Sequence, residues 1–71
     1  MKVDHNSKRL AGSKVLITGA TSGLGFSISI ALAQEGAEII AVGRDKNRLE
    51  DLSDAIEKMT GSVTLVCIDL A

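Results

Sequence analysis

This 71-residue sequence contains no tryptophan, tyrosine or proline, and it has one cysteine, one histidine and one phenylalanine. Because Cys67 is the only cysteine, no internal disulfide can form, and we expect a reducing compartment and a buried strand position for its side chain. His5 lies in a polar stretch without a second histidine or a paired cysteine nearby, so the sequence predicts no metal site.

Long apolar runs are also missing. No stretch approaches the roughly 20 apolar residues that a membrane helix needs, and the first twelve residues, MKVDHNSKRLAG, lack the apolar segment of a signal peptide. The formal net charge of -1 favours neither a nucleic acid nor an acidic membrane surface as a partner. We therefore expect a cytoplasmic chain with no nucleic-acid and no membrane partner.

The most informative stretch is VLITGATSGLG, from Val15 to Gly25. A short apolar run ends there in a glycine-rich turn, and a helical apolar pattern begins near Leu24. Glycines let the backbone approach a bulky anion closely, and a helix N-terminus presents unpaired N–H groups to it. This pattern predicts a nucleotide pyrophosphate site. A P-loop is excluded, because it needs Lys and then Ser or Thr after the last glycine, where Phe26 and Ser27 stand.

The apolar pattern predicts alternating strands and helices. Consecutive apolar residues in each strand indicate a parallel sheet covered on both faces, and right-handed crossovers would put both helices on one side. We expect an α/β fold, the Rossmann-like βαβαβ half of a doubly wound sheet with strand order 3-2-1. The predicted elements are strands Lys14–Thr18, Glu38–Val42 and Val63–Ile68, and helices Leu24–Glu35 and Lys46–Thr60.

The first helix carries two patterns. An apolar stripe recurs at helical spacing, and small residues between its members would permit close approach to the sheet. Gly36 and Gly61 are predicted to end the two helices. The stripe consists of Leu24, Ile28, Ala31 and Leu32, and the small residues are Gly25, Ser29 and Ala33.

The octet Thr18-Gly19-Ala20-Thr21-Ser22-Gly23-Leu24-Gly25 resembles the TGxxxGxG motif of the short-chain dehydrogenase/reductase family. The alternative is a glycine-rich structural turn. The resemblance runs from about Ala11 to Leu70. It implies a polar N-terminal arm over residues 1–12 and, over residues 13–71, a partial NAD(P)-binding Rossmann domain truncated before the catalytic half.

The resemblance assigns cofactor-binding roles to matching positions. The three motif glycines would approach the pyrophosphate, and the Leu24 amide with the hydroxyls of Thr21 and Ser22 would donate to phosphate or ribose oxygens. Turn propensity is the alternative for the two hydroxyl residues. Asp69 and Leu70 match the pair that meets adenine, with a strand-end cap as the alternative for Asp69. The motif glycines are Gly19, Gly23 and Gly25.

By the same resemblance, the residues at the end of the second strand indicate which cofactor, NAD or NADP, is bound. NAD-preferring family members place an acidic residue there, where this sequence has Gly43 followed by Arg44. An arginine at this point resembles the NADP-preferring members, because a planar cation can hold the 2′-phosphate. We expect NADP rather than NAD. For Lys46 and Arg48, a phosphate contact and a solvated first helical turn remain alternatives.

The residues for catalysis are missing. The family uses a Tyr-x-x-x-Lys pair with a serine and an asparagine, and this sequence has no tyrosine. The resemblance implies an NADP-dependent alcohol or carbonyl oxidoreductase, represented here by its cofactor-binding N-terminal segment, with no catalytic residue and no activity of its own. The alternative is a stand-alone nucleotide-binding or interaction module. We expect self-association or pairing with a missing catalytic half, which would cover the second sheet face.

Overall fold

The computed structural model describes residues 9–68. It contains the five alternating elements that the sequence predicts, with boundaries that differ by at most two residues. The first eight residues of the polar arm, and the predicted adenine contacts Asp69 and Leu70, lie outside the described residues. The elements are β1 (Lys14–Thr18), α1 (Gly23–Gln34), β2 (Glu38–Gly43), α2 (Lys46–Lys58) and β3 (Ser62–Cys67).

The three strands form one parallel sheet in the order β1-β2-β3, which is the predicted order 3-2-1 read from the opposite edge. The register aligns Val15 with Ile39 and Ile39 with Val63. Because side chains alternate between the faces of a strand, these three residues point to one face of the sheet. The predicted Rossmann-like βαβαβ fold is confirmed.

Both helices pack on that same face. Ile39 of β2 is fully buried with Leu52 and Ile56 of α2 in one apolar cluster. Asp45 caps α2, with its carboxylate accepting a hydrogen bond from the Arg48 amide at 3.2 Å. The cap fixes where α2 begins, and the apolar stripe that follows forms the centre of the core.

The buried face of α1 is not its predicted apolar stripe. Its buried residues are Gly25, Ser29 and Ala33, whereas Leu24 is 74% and Ile28 41% exposed. Small side chains let the helix axis approach the sheet closely, and the small residues form the centre of the packing surface of α1. The partly buried side chains that pack against the core beside them are Phe26, Ile30 and Leu32. The buried Ser29 hydroxyl is satisfied because it donates to the Gly25 carbonyl at 2.8 Å.

The two helices end differently. Gly36 follows α1 with φ +95°, as predicted for a terminating glycine. After α2 the left-handed residue is Thr60, at φ 59°, so the prediction that Gly61 ends this helix is wrong. Gly61 is needed for space instead, because a Cβ there would lie 2.7 Å from Cγ2 of Ile56.

Apolar surface remains uncovered on the opposite face of the sheet. Leu16 of β1 points away from the helices and is 63% exposed, and Ile68 after β3 is 38% exposed. Within residues 9–68, no element covers this face. None of the described helices is long and apolar enough to span a bilayer.

The prediction that Cys67 is buried is wrong. It is the last residue of β3, which is one of the two outer strands of the sheet, and its side chain is exposed. The thiol donates to the Arg44 carbonyl at 3.6 Å, a long contact even for sulfur. The apolar residues next to Cys67 in the sequence did not indicate burial, because an outer strand is covered by another strand on one side only.

Candidate functional site

The carboxyl ends of the three strands meet at one edge of the sheet and open into a cleft of about 580 Å³. Thr18 and Val42 are register partners there, and Ile68 follows the third strand directly. In open parallel sheets, this edge is where ligands bind. The residues that line the cleft are Thr18, Gly19, Thr21, Ser22, Val42, Gly43, Arg44 and Ile68.

The turn after β1 is fixed to the end of β2. The Ala20 amide donates to the Val42 carbonyl at 3.0 Å, and the Ala20 side chain is fully buried. Gly19 has φ +68°, a backbone conformation that costs other residues energy, and its carbonyl accepts from the Ser22 amide at 3.0 Å. The turn is therefore held in place before any ligand binds.

Helix α1 begins inside this turn with two amides available. Ser22 is its N-cap: the hydroxyl accepts from the Gly25 amide at 3.1 Å and donates to the Gly19 carbonyl at 2.8 Å. Among the described residues, the amides of Gly23 and Leu24 have no hydrogen-bond partner. They lie at the positive end of the helix dipole, which is a ready-made position for an anion.

The glycines of the motif serve different purposes. A Cβ on Gly25 would collide with the backbone of Gly19 and Ala20, with the Gly19 carbonyl carbon only 2.9 Å away. A Cβ on Gly23 would meet no protein atom within 4 Å, and the φ of Gly23 is not positive. Packing explains the glycine at position 25, whereas the space beside Gly23 is open for a ligand.

The end of β2 brings a cation to the same cleft. Gly43 is buried and carries no side chain, and the next residue, Arg44, is exposed and lines the cleft. The strand end is held because the Ile68 amide donates to the Gly43 carbonyl at 2.8 Å. Position 43 therefore brings no carboxylate to the cleft, and the guanidinium of Arg44 follows directly after it.

Arg48 has a different contact. Its guanidinium carbon lies 4.5 Å from the centre of the Phe26 ring, a cation–π geometry that ties the first turn of α2 to α1. Neither Arg48 nor Lys46 lines the cleft. Of the three basic residues considered at this end of the sheet, the structure brings only Arg44 to the cleft wall.

The structure thus brings four of the predicted site residues into one cleft, with Gly23, Leu24 and Gly25 in the adjoining first turn of α1. Those in the cleft are Gly19, Thr21, Ser22 and Arg44. The sequence analysis missed the walls formed by Val42 and Ile68, which could have been inferred because parallel strands end at a common edge. Within residues 9–68, no group of three or more His, Cys, Asp or Glu side chains could hold a metal ion.

Comparison with known proteins shows what the chain is similar to. The family model for short chain dehydrogenase matches residues 13–71. The L-xylulose reductase of Mus musculus is 45% identical over 62 residues, which cover 87% of this chain and 24% of that protein. Among solved structures, the citronellol catabolism dehydrogenase AtuB of Pseudomonas aeruginosa PAO1 matches with a TM-score of 0.83 and 32% identity over 89% of this chain and 26% of its own.

A third similar protein has a cofactor in its structure. The L-sorbose reductase of Gluconobacter frateurii, solved in complex with NADPH and L-sorbose, matches with a TM-score of 0.79 and 34% identity. The match covers 89% of this chain and 24% of that one. In each of these comparisons the chain spans about a quarter of the length of the relative.

Proposed function

The chain belongs to the short-chain dehydrogenase family, and from that premise we propose that it forms the cofactor-binding part of an NADP-dependent oxidoreductase for alcohols and carbonyl compounds. One observation carries the choice of NADP. At the end of β2 a side-chain-free Gly43 is followed by an exposed Arg44 on the wall of the cleft. This arrangement offers a cation where a carboxylate would repel a 2′-phosphate.

The first part of the proposal concerns the pyrophosphate. The amides of Gly23 and Leu24 donate to its oxygens, because they are unpaired among the described residues and lie at the N-terminus of α1. The open space beside Gly23 fits the approach of a phosphate group. The Thr21 hydroxyl is a further donor, whereas Ser22 has to give up its bond to the Gly19 carbonyl before it can donate.

The second part concerns the adenosine half. Arg44 holds the 2′-phosphate, and the apolar walls Val42 and Ile68 lie beside the adenosine. We retain Asp69 and Leu70 as the adenine contacts of this proposal, by family resemblance. The L-sorbose reductase of similar fold binds NADPH in its crystal structure, which supports a nicotinamide dinucleotide as the ligand.

The third part concerns chemistry. The bound nicotinamide supplies the hydride, and the residues of this chain bind and orient the cofactor without taking part in proton transfer. With no tyrosine in the sequence, we propose that the general acid comes from a catalytic half that also covers the bare sheet face. The exposed, unpaired thiol of Cys67 is compatible with a cytoplasmic location.

The replacement Arg44→Ala tests the cofactor choice. In the full-length protein that carries this segment, it should weaken NADPH binding roughly ten- to hundredfold, since a charge-assisted hydrogen bond contributes about 1.5 to 3 kcal/mol. NADH affinity should stay nearly unchanged, because only the 2′-phosphate loses its partner. Dissociation constants for both cofactors are measured at one fixed salt concentration, since salt screens the contact.

Lys46→Ala is the matched control. It removes the same charge two residues further along the chain, from a side chain that does not line the cleft. It should change NADPH affinity far less than Arg44→Ala does. Equal weakening of NADPH and NADH by Arg44→Ala would mean that Arg44 supports the loop, and the assignment of NADP would then be wrong.

A further inference from the structure

Gly43 is buried at the end of β2, and its surroundings leave no room for a side chain. A Cβ built on it would lie 2.7 Å from Cγ2 and 3.2 Å from Oγ1 of Thr21. The next nearest atom, Cδ2 of Leu49, is at 3.4 Å, which is an ordinary contact. The φ of Gly43 is not positive, so its strand conformation suits other residues. The obstacle to a side chain at position 43 is therefore Thr21 alone.

Rotation about χ1 cannot take both heavy atoms of Thr21 away from Gly43 at once. The Cβ of Thr21 has three substituent positions, of which two point at Gly43, and its two heavy atoms occupy two of the three in any staggered rotamer. At least one heavy atom therefore always faces Gly43. The backbone of Thr21 is equally confined, since the neighbouring Ala20 is fully buried and its amide is bonded to the Val42 carbonyl.

We propose that Thr21 is a specificity-determining residue, because it occupies the space that the Cβ of any side chain at position 43 would need. The group that matters most is a carboxylate, which at the end of β2 would accept hydrogen bonds from the ribose hydroxyls of NADH and repel the 2′-phosphate of NADPH. This inference rests on the proposed function. Together, Thr21 and Gly43 keep a carboxylate away from the end of β2, so that among residues 9–68 Arg44 is the charged residue that lines the cleft.

The steric part is tested without any cofactor. Gly43→Ala adds only the Cβ, and it should lower the melting temperature of the full-length protein by roughly 2 to 8 °C through overpacking. In combination with Thr21→Ala, the nearest remaining atom is Leu49 Cδ2 at 3.4 Å. The same Gly43→Ala change should then lower the melting temperature by less than about 2 °C relative to Thr21→Ala alone. An equal loss with and without Thr21→Ala would overturn the proposal.

The specificity part uses Gly43→Asp in the same two backgrounds, with dissociation constants for NADPH and NADH. Alone, Gly43→Asp should weaken the binding of both cofactors at least tenfold, because Thr21 and the turn after β1 are displaced. Together with Thr21→Ala, it should bind NADH at least tenfold more tightly than Gly43→Asp alone and should prefer NADH to NADPH. If Gly43→Asp alone binds NADH as tightly as the double variant, Thr21 does not control specificity.

The two arms separate this inference from the proposed function. Equal affinity of the unaltered protein for NADPH and NADH, with no effect of Arg44→Ala, would refute the NADP proposal and with it the specificity role of Thr21. The melting temperatures would still show whether the steric pair exists. A clear NADPH preference without any Thr21–Gly43 coupling would leave the proposed function standing and refute this inference alone.

Discussion

Two glycines at the start of α1, Gly23 and Gly25, offer a paired test of how the site is built. A Cβ at Gly25 would meet the backbone of Gly19 and Ala20, which cannot rotate away, with the nearest carbonyl carbon at 2.9 Å. Overpacking of this kind costs about 1 to 3 kcal/mol. Gly25→Ala should therefore lower the free energy of unfolding by about that amount, partly offset by the better helix propensity of alanine.

Gly23→Ala should leave stability intact and weaken cofactor binding instead. Its Cβ meets no protein atom within 4 Å, so stability should stay the same or rise by up to about 1 kcal/mol from helix propensity. The added methyl group enters the space that we assign to the pyrophosphate. NADPH binding should weaken roughly ten- to hundredfold, by the loss of a charge-assisted hydrogen bond worth about 1.5 to 3 kcal/mol.

The assay combines urea unfolding followed by circular dichroism with cofactor titration of both variants in the full-length protein. The predicted outcome is that Gly25→Ala loses stability while Gly23→Ala keeps its stability and loses affinity. Unchanged NADPH affinity in Gly23→Ala would refute the proposal that the pyrophosphate lies beside Gly23. A loss of stability as large as that of Gly25→Ala would instead show that Gly23 is a structural glycine.

Four further outcomes are expected. The isolated 71-residue chain should self-associate or unfold without cooperativity, because its bare sheet face exposes apolar surface. Light scattering measures its mass and calorimetry its unfolding, and a monomer that unfolds cooperatively would contradict the prediction. Leu16→Lys, at a 63% exposed position on that face, should reduce the associated fraction. The isolated chain should show no turnover with NADPH and carbonyl substrates, since it has no tyrosine, and measurable oxidoreductase activity would refute the catalytic argument. Ile56→Ala should destabilise the full-length protein by about 2 to 5 kcal/mol in urea unfolding, because Ile56 is fully buried, and a loss below about 1 kcal/mol would contradict the described core.

The sequence predicted the order of elements and the sheet topology because both depend on local patterns. Apolar runs ended by glycines identified each strand, and right-handed crossovers then left one arrangement for the two helices. The turn after β1 was predicted for the same reason, since its three glycines lie within one stretch of seven residues. Gly19 proved to have the positive φ that such a turn requires.

Contacts between elements distant in the sequence could not be predicted in this way. The small residues of α1, Ser29 among them, were predicted to allow close approach to the sheet and are buried, but periodicity did not indicate that Leu24 and Ile28 would be left exposed. The exposure of Cys67 follows from the position of β3 at the edge. The contact between Thr21 and the space above Gly43 joins a turn to the end of another strand, and no sequence pattern signals it.

Arg48 shows the same limit for charged residues. From the sequence, its position close to Arg44 left a phosphate contact open, but its guanidinium packs over the Phe26 ring. Phe26 is the only aromatic residue of the chain, and it lies on the other helix. The resemblance favoured Arg44 for the phosphate contact but did not indicate where the Arg48 side chain lies, and in the structure the cleft wall includes Arg44 and not Arg48.

The most direct test of the central claim is a crystal structure of the full-length protein with NADP⁺. We predict that the pyrophosphate oxygens lie within hydrogen-bond distance of the Gly23 and Leu24 amides, and that the 2′-phosphate contacts the Arg44 guanidinium beside a Thr21 side chain that stays over Gly43. A cofactor whose 2′-phosphate faces away from Arg44, or whose pyrophosphate lies away from the start of α1, would contradict the account.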